Sequence, residues 1–230
     1  MNKSMKLLLF DIDGTILLTD GAGTRAANRA FEKVHGLGDA MKGIDAAGKT
    51  DPLILREMYA NGLSRDYTDE EAGELYREYV LFLEEEVENC RIEIMPGIPY
   101  LLENLSSRKD VMLGLATGNI EQGARIKLRK SGLDAHFSVG GFGSDSGSRE
   151  ALIRVAIERA KNRLRDSQGF EKVYVIGDTP HDIIHGRAAG AVTVAVATGR
   201  YSLAELREHR PDYLFEHLAD YENVIKIFDR

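Results

Sequence analysis

The sequence has a single cysteine and no apolar stretch long enough to cross a membrane. Cys90 is alone among 230 residues, so no intrachain disulfide can form and a reducing compartment is expected. No run of about eighteen apolar residues occurs, so we expect no membrane-spanning helix. The apolar run Leu7–Phe10 is broken by Asp11, too soon for the hydrophobic region of a signal peptide. We therefore expect a cytoplasmic protein without a membrane partner.

The chain also has fewer basic than acidic residues. The chain carries 30 Lys and Arg against 37 Asp and Glu, a net charge of −7. This balance argues against the broad basic surface that a nucleic acid polymer requires, although it leaves room for a local basic pocket. A length of 230 residues is long for one domain and short for two, which favours a single core with an inserted subdomain.

Strand-like and helical patterns alternate along most of the chain. The strand-like runs are Lys6–Phe10, Val111–Ala116, Val173–Ile176, Ala191–Ala197 and Tyr213–Phe215. Helical patterns over Ile98–Arg108, Ile120–Lys130 and Glu150–Leu164 separate the later runs. Asn119 is a candidate N-cap for the second helix. The alternation predicts an α/β fold with a doubly wound, mainly parallel Rossmann-like sheet.

The segment between residues 18 and 90 interrupts this alternation. Its patterns predict helices only, over Gly23–His35, Pro52–Asn61 and Thr68–Asn89, the last opening with a Thr68–Glu71 capping box. We therefore divide the chain into an α/β core of residues 1–17 and 91–230 and an inserted helical subdomain of residues 18–90.

Two of the predicted strands end in pairs of acids. Asp11 and Asp13 follow the first strand in KLLLFDIDGT, and Asp178 and Asp182 follow a later one in VYVIGDTPHDI. Ligands of open parallel sheets bind at the carboxyl ends of strands, so both pairs are expected at one edge. Crowded carboxylates there suit a hard divalent cation such as Mg²⁺. One carboxylate could then act as nucleophile and another as general acid and base.

Each acidic pair also has a purely structural interpretation. Asp13 and Gly14 are common turn formers after a strand. Asp182 lies three residues after the candidate N-cap Thr179, where it would complete a capping arrangement. That arrangement leaves Asp178 unexplained, so the two strand ends together favour a shared metal site.

A third strand end carries hydrogen-bond donors instead of acids. In LGLATGN the predicted strand is followed by Thr117, Gly118 and Asn119. A hydroxyl and exposed backbone amides at the start of a helix suit phosphate oxygens. The alternative is a turn with an N-cap, so this segment gains weight only beside the acidic pairs.

In order along the chain, these segments resemble the motifs of the haloacid dehalogenase superfamily. Asp11 to Thr15, Thr117, and Gly177 to Thr179 with Asp182 are similar to its motifs one, two and four. The helical insert resembles the family's C1 cap, and the whole plan is most similar to the phosphoglycolate phosphatase-like branch. The resemblance implies a Mg²⁺-dependent phosphatase that is a monomer or homodimer and hydrolyses a small phosphorylated metabolite.

The resemblance also implies residue roles. Asp11 would attack phosphorus and form an aspartyl-phosphate, and Asp13 would protonate the leaving alcohol and then activate water. Mg²⁺ would be held by the Asp11 carboxylate, the backbone carbonyl of Asp13, and Asp178, with Asp182 nearby. Thr117 would bind the transferring phosphoryl group, with Gly118 and Asn119 beside it.

Motif three departs from the family pattern. Relatives usually place a lysine, often followed by proline, at the start of the helix before motif four. Here GSDSGSREAL offers Arg149 and no proline. Its position predicts a cation facing the phosphoryl group, and the alternative is an ordinary surface arginine. Arg and Lys bind oxygen atoms differently, because the guanidinium of Arg is planar and presents its N–H donors in a fixed arrangement.

GIDAAGKT, residues 43–50, matches the phosphate-binding pattern G-x-x-x-x-G-K-[ST]. The preceding KVHGLGDAMK contains no strand-like run, so a P-loop nucleotide hydrolase is only a remote alternative. Cap loops of relatives contact the leaving group, which makes Lys49, Thr50 and Asp51 candidates for substrate recognition. A solvated loop would explain them equally well. The glycine-rich VGGFGSDSG, residues 139–147, predicts a flexible connection.

Other functions share parts of this pattern. A phosphomutase such as a β-phosphoglucomutase would use the same aspartyl-phosphate and return the phosphoryl group to its substrate. A dehalogenase and a non-catalytic phosphoacceptor module are disfavoured by Asp13, and the cap also argues against the module. Phosphoglycolate, a sugar phosphate and a nucleoside monophosphate all remain as substrates.

Overall fold

The computed structural model describes residues 5–164 and 169–229. Its strands are β1 Lys6–Phe10, β2 Leu17–Leu18, β3 Glu93–Ile94, β4 Val111–Ala116, β5 Val139–Gly141, β6 Lys172–Gly177, β7 Val192–Val196 and β8 Tyr213–Phe215. Six of them form one sheet in the order β5-β4-β1-β6-β7-β8, and every neighbouring pair is parallel. The predicted α/β, mainly parallel fold is confirmed.

Helices connect these strands. They are α1 Ala22–His35, α2 Asp51–Leu63, α3 Asp69–Asn89, α4 Ile98–Ser106, α5 Glu121–Ser131, α6 Arg149–Lys161, α7 Pro180–Ala188, α8 Leu203–Glu208 and α9 Tyr221–Ile227. Thr68 and Glu71 form the predicted capping box at the start of α3. None of the helices in the described part of the chain is both long and apolar enough to span a bilayer.

Strand β1 lies at the centre of the sheet and is buried along its whole length. Leu8 and Phe10 belong to an apolar cluster with helices α4, α5 and α9. Leu7 and Leu9 belong to a second cluster with α6 on the opposite face. Because alternate side chains of a strand point to opposite faces, an all-apolar strand requires helices on both sides. The continuous apolar run of β1 therefore specifies a three-layer core.

Helices α1, α2 and α3 form a helical insertion with its own apolar cluster, centred on side chains such as Phe31, Tyr59 and Leu83. Ile120 and Ile126 at helix α5 join this cluster and so connect the insertion to the sheet layer. The short strands β2 and β3 pair antiparallel where the chain leaves and re-enters the core. Their position supports residues 18–90 as the proposed limits of the insertion.

The prediction of a flexible connection over residues 139–147 is wrong at its start. Val139–Gly141 forms the edge strand β5, which pairs with β4. A Cβ atom on Gly141 would lie 1.8 Å from the Leu152 carbonyl oxygen, so glycine lets α6 pack directly on the strand. The glycines that suggested flexibility serve a close backbone approach instead.

Leu83 tests the independent core of the insertion. Its side chain is fully buried, whereas Leu81 on the same helix is 54% exposed. Leu83→Ala should lower the free energy of unfolding by about 2–5 kcal/mol, because a buried leucine leaves a cavity. Leu81→Ala should change it by no more than about 0.5 kcal/mol. Urea unfolding followed by circular dichroism measures both, and equal losses would contradict the assigned packing.

Candidate active site

Three buried carboxylates converge at the carboxyl edge of the sheet. Asp11 directly follows β1, Asp178 directly follows β6, and Asp182 lies in the first turn of α7. Each offers one oxygen, and these oxygens all lie within 4.8 Å of one another. The edge that the sequence predicted therefore brings these acids of both pairs together.

Burial and mutual repulsion disfavour the charged state of this cluster. Burial, followed by repulsion from the neighbouring Asp11 and Asp182, raises the pKa of Asp178 to about 8. Burial also raises the pKa of Asp11, although the Arg149 guanidinium opposes that shift. The raised pKa values of Asp11 and Asp178 suit a divalent cation, whose charge would stabilise the ionised forms.

Arg149 is the positive charge packed against the cluster. It is the first residue of α6, which begins at the N-cap Ser148, and it is 4% exposed. Its guanidinium lies 2.9 Å from an Asp11 oxygen and also binds Oδ1 of Asp182. This burial excludes the surface-arginine alternative. The family pattern has a lysine at this position. The planar guanidinium of Arg149 instead contacts two carboxylates at once.

Asp182 serves two neighbours through its two oxygens. Oδ2 accepts hydrogen bonds from the Thr179 amide and hydroxyl, which completes the capping box of α7. Oδ1 faces Arg149. The predicted capping role is confirmed, and it coexists with membership of the carboxylate cluster.

Asp13 points away from the cluster towards a buried lysine. Its oxygens lie 2.7 and 2.8 Å from Lys127 Nζ, and Asn119 Nδ2 donates to Oδ2 at 2.7 Å. Lys127 also donates to Asn119 Oδ1 at 2.8 Å. The sequence patterns did not indicate Lys127 as a site residue. Its one signal is helical spacing, because it lies three residues after the buried Ala124 on the inner face of α5.

Asn119 is not the N-cap of α5, contrary to the prediction. Ile120 occupies that position, without a side-chain cap. The Asn119 amide instead joins Asp13, Lys127 and the Thr117 hydroxyl, to which Nδ2 donates at 2.8 Å. The Asn119 side chain is therefore part of a polar network inside the site and does not cap the helix. Thr117 itself is fully buried at the end of β4.

The GIDAAGKT segment is an irregular loop between α1 and α2. No strand lies in residues 36–50, whereas a P-loop requires one immediately before it. The remote P-loop alternative is therefore wrong. The loop instead contacts the end of β4, because the Asp51 amide donates to the Gly118 carbonyl at 2.8 Å. A Cβ atom on Gly118 would lie 2.2 Å from the Lys49 carbonyl oxygen, so this approach needs glycine.

The candidate recognition residues are fixed in place by this loop. Lys49 Nζ lies 2.5 Å from a Glu57 oxygen. Thr50 is buried and donates to the Gly147 carbonyl at 3.0 Å. Asp51 accepts from the Ile120 amide at 2.7 Å. The solvated-loop alternative is excluded for Thr50 and Asp51 by these contacts.

A cavity of about 350 Å³ connects the carboxylate cluster with the helical insertion. The predicted residues in its lining are Asp11, Asp13, Lys49, Asp51, Thr117, Gly118, Asn119, Arg149 and Asp178. Lys127 also lines it, while Thr50 and Asp182 are not among the described lining residues. The carboxylate cluster and the candidate recognition residues Lys49 and Asp51 therefore border one space.

The fold and this site define the class of protein. The sequence model of the haloacid dehalogenase-like hydrolase family matches residues 8–196, so the chain belongs to that family. The resemblance read from the motifs is confirmed.

Curated relatives and solved structures span nearly the whole chain. Tyrosine-protein kinase PtkA of Mycobacterium tuberculosis is 29% identical and is matched over 96% of this chain and 72% of its own length. Pyrophosphatase PpaX of Bacillus pumilus is 26% identical over 96% of both chains. A predicted phosphoglycolate phosphatase from Haemophilus somnus superposes with a TM-score of 0.70 at 19% identity, covering 96% of this chain and 98% of that one. This structural likeness shows the shared fold.

Asp51 allows a test by pH. Burial raises its pKa from 3.8 to about 6, although the Ile120 amide lowers it. Folding therefore takes up a proton between about pH 4 and 6, and stability contributed by this group falls as the pH rises through that range. Because Asp51 keeps partial solvent contact, Asp51→Asn should be about 1–2 kcal/mol more stable than wild type at pH 7 and little different at pH 4.

Denaturant unfolding at a series of pH values measures this difference. Asp45→Asn is the matched control, because Asp45 lies in the same loop but is exposed. A pH-independent difference between Asp51→Asn and wild type would contradict the assigned burial of a carboxylate.

Proposed function

We propose that the protein is a Mg²⁺-dependent phosphatase that hydrolyses a small phosphomonoester through an aspartyl-phosphate on Asp11. The observation that carries the proposal is the convergence of Asp11, Asp178 and Asp182 at one buried site beside Arg149. Membership of a hydrolase family supports it, as does the similarity to a relative named as a pyrophosphatase.

The donor set fits a magnesium ion. Asp11, Asp178 and Asp182 supply carboxylate oxygens, the ligand type that Mg²⁺ prefers. The raised pKa of Asp178 reflects a need for positive charge at this point. The Asp13 carbonyl is the further ligand that the family resemblance implies. When bound, the ion would neutralise charge on the carboxylates and the phosphoryl oxygens.

In the first step Asp11 attacks phosphorus while the bond from phosphorus to the ester oxygen breaks. The departing oxygen takes a proton from Asp13, which leaves that residue as a carboxylate. Lys127 and Asn119 hold the Asp13 side chain within the cavity. Arg149, which contacts Asp11, and Thr117, which lines the same cavity, would bind the phosphoryl oxygens, so positioning and charge stabilisation carry the step.

In the second step water attacks the phosphorus of the aspartyl-phosphate. The Asp13 carboxylate takes a proton from that water, and the bond from phosphorus to Asp11 breaks. Inorganic phosphate leaves, Asp11 is again a carboxylate and Asp13 is again protonated. A positioned acid and base of this kind accelerates a reaction by about 10²- to 10⁴-fold.

Release of inorganic phosphate tests the proposal. With Mg²⁺, wild type should hydrolyse p-nitrophenyl phosphate, EDTA should stop turnover, and Asp11→Asn should lower kcat by at least about 10³-fold because the nucleophile is lost. Asp66→Asn is the matched control, since Asp66 is exposed on the insertion, and it should keep wild-type activity.

Retention of wild-type activity by Asp11→Asn would contradict the assigned nucleophile. Activity that EDTA leaves unchanged would contradict the proposed dependence on Mg²⁺. A phosphomutase would move the phosphoryl group to a second hydroxyl without stoichiometric phosphate release, so the same assay separates that alternative.

A further inference from the structure

The wall of the cavity that faces Asp11 is built from apolar and aromatic side chains of the insertion. The larger ones are Met41, Leu55, Met58, Leu75, Tyr76 and Tyr79. They come from α2, α3 and the loop after α1, and Leu55, Met58 and Leu75 also pack in the insertion's own core. In the proposed reaction, the leaving group would lie in the cavity between the carboxylate cluster and this wall.

The positive charges around the cavity are already paired with carboxylates. Within residues 5–164 and 169–229, the lysines and arginines in its lining are Lys49, Lys127, Arg149 and Arg200. Lys49 pairs with Glu57, and Arg200 with Asp45. Lys127 pairs with Asp13, and Arg149 with Asp11 and Asp182. A negatively charged leaving group would have to break one of the first two pairs or compete with the catalytic acids.

Two polar features of the insertion side complete the surroundings. Asp51 lines the cavity with a carboxylate, which repels an anionic leaving group when ionised. The Tyr76 hydroxyl is buried and has no hydrogen-bond partner among the described residues, although Tyr76 lines the cavity. A buried hydroxyl without a partner is unfavourable by about 1–3 kcal/mol, so a ligand that bonds to it would be stabilised.

Resting on the proposed function, we propose that the substrate is a phosphomonoester of an uncharged, mainly apolar alcohol or phenol. Its apolar part packs against Met58, Leu75 and Tyr79, and a neutral polar group reaches the Tyr76 hydroxyl. This chemistry disfavours phosphoglycolate and pyrophosphate, whose leaving groups carry negative charge.

A matched pair of esters on the wild-type protein tests this. Butyl phosphate and 3-(phosphonooxy)propanoate have chains of similar length, and the second ends in a carboxylate. With Mg²⁺, kcat/KM should be at least about 10-fold higher for butyl phosphate, because burial favours each methylene and each lysine and arginine described in the lining is already paired with a carboxylate. Equal values or the reverse order overturn the inference.

A second experiment places a charge in the apolar wall of the cavity. Met58→Lys puts an ammonium among the apolar side chains and should shift the ratio of the two kcat/KM values at least about 10-fold towards the carboxylate ester. Leu53→Lys is the matched control, because Leu53 is on the same helix but 38% exposed and outside the lining. It should leave the ratio unchanged. An equal shift in both variants overturns the inference, and the wild-type comparison stands if Met58→Lys does not fold.

Binding separates this inference from the proposed function. Calorimetric titration of Asp11→Asn with each ester and Mg²⁺ measures affinity without turnover. At least about 10-fold tighter binding of butyl phosphate supports the apolar site even if p-nitrophenyl phosphate is not hydrolysed by wild type. Tighter or equal binding of the carboxylate ester overturns the inference even if wild type proves to be an active phosphatase.

Discussion

Repulsion among three buried carboxylates at one edge of a parallel sheet is the constraint on which the site depends. Asp11, Asp178 and Asp182 come from separate elements, yet their oxygens lie within 4.8 Å of one another. Water does not screen them, so the charges must be balanced locally. Arg149 supplies part of the balance by contacting two of the three. The remaining charge is the physical reason for assigning a divalent cation here.

The rest of the fold brings recognition to this edge. The loop of residues 43–50 packs against Gly118, and the start of α2 is tied to the core by the Asp51 contacts with Gly118 and Ile120. The insertion is therefore tied to the edge that carries the three carboxylates by one backbone hydrogen bond and by the bond from the Ile120 amide to the Asp51 side chain. In the proposed reaction, the apolar wall would surround the leaving group, while the phosphoryl group would meet charged side chains. Within one cavity, the proposed reaction site is thus lined by charged side chains, and the proposed recognition site is lined mainly by apolar ones.

Sequence patterns were sufficient for several elements that a local rule governs. Apolar runs located β1, β4 and β8 at their observed limits, and the capping boxes of α3 and α7 followed from spacing alone. Patterns failed where long-range packing decided the outcome. Asn119 is drawn from a capping position by Asp13, distant in sequence, and Gly141 of β5 serves close contact with α6 rather than flexibility. Helical spacing places Lys127 on the inner face of α5, but its partner Asp13 is distant in sequence and could not be predicted from that spacing.

The central claim is that Asp11 carries the phosphoryl group. The most direct measurement is to quench wild-type enzyme during turnover of p-nitrophenyl phosphate, reduce any acyl phosphate with borohydride, and map the modified peptide by mass spectrometry. The account predicts modification at Asp11, dependent on Mg²⁺ and absent from unreacted enzyme. Modification at Asp13 or Asp178 instead, or turnover with rapid sampling and no modified aspartate, would contradict it.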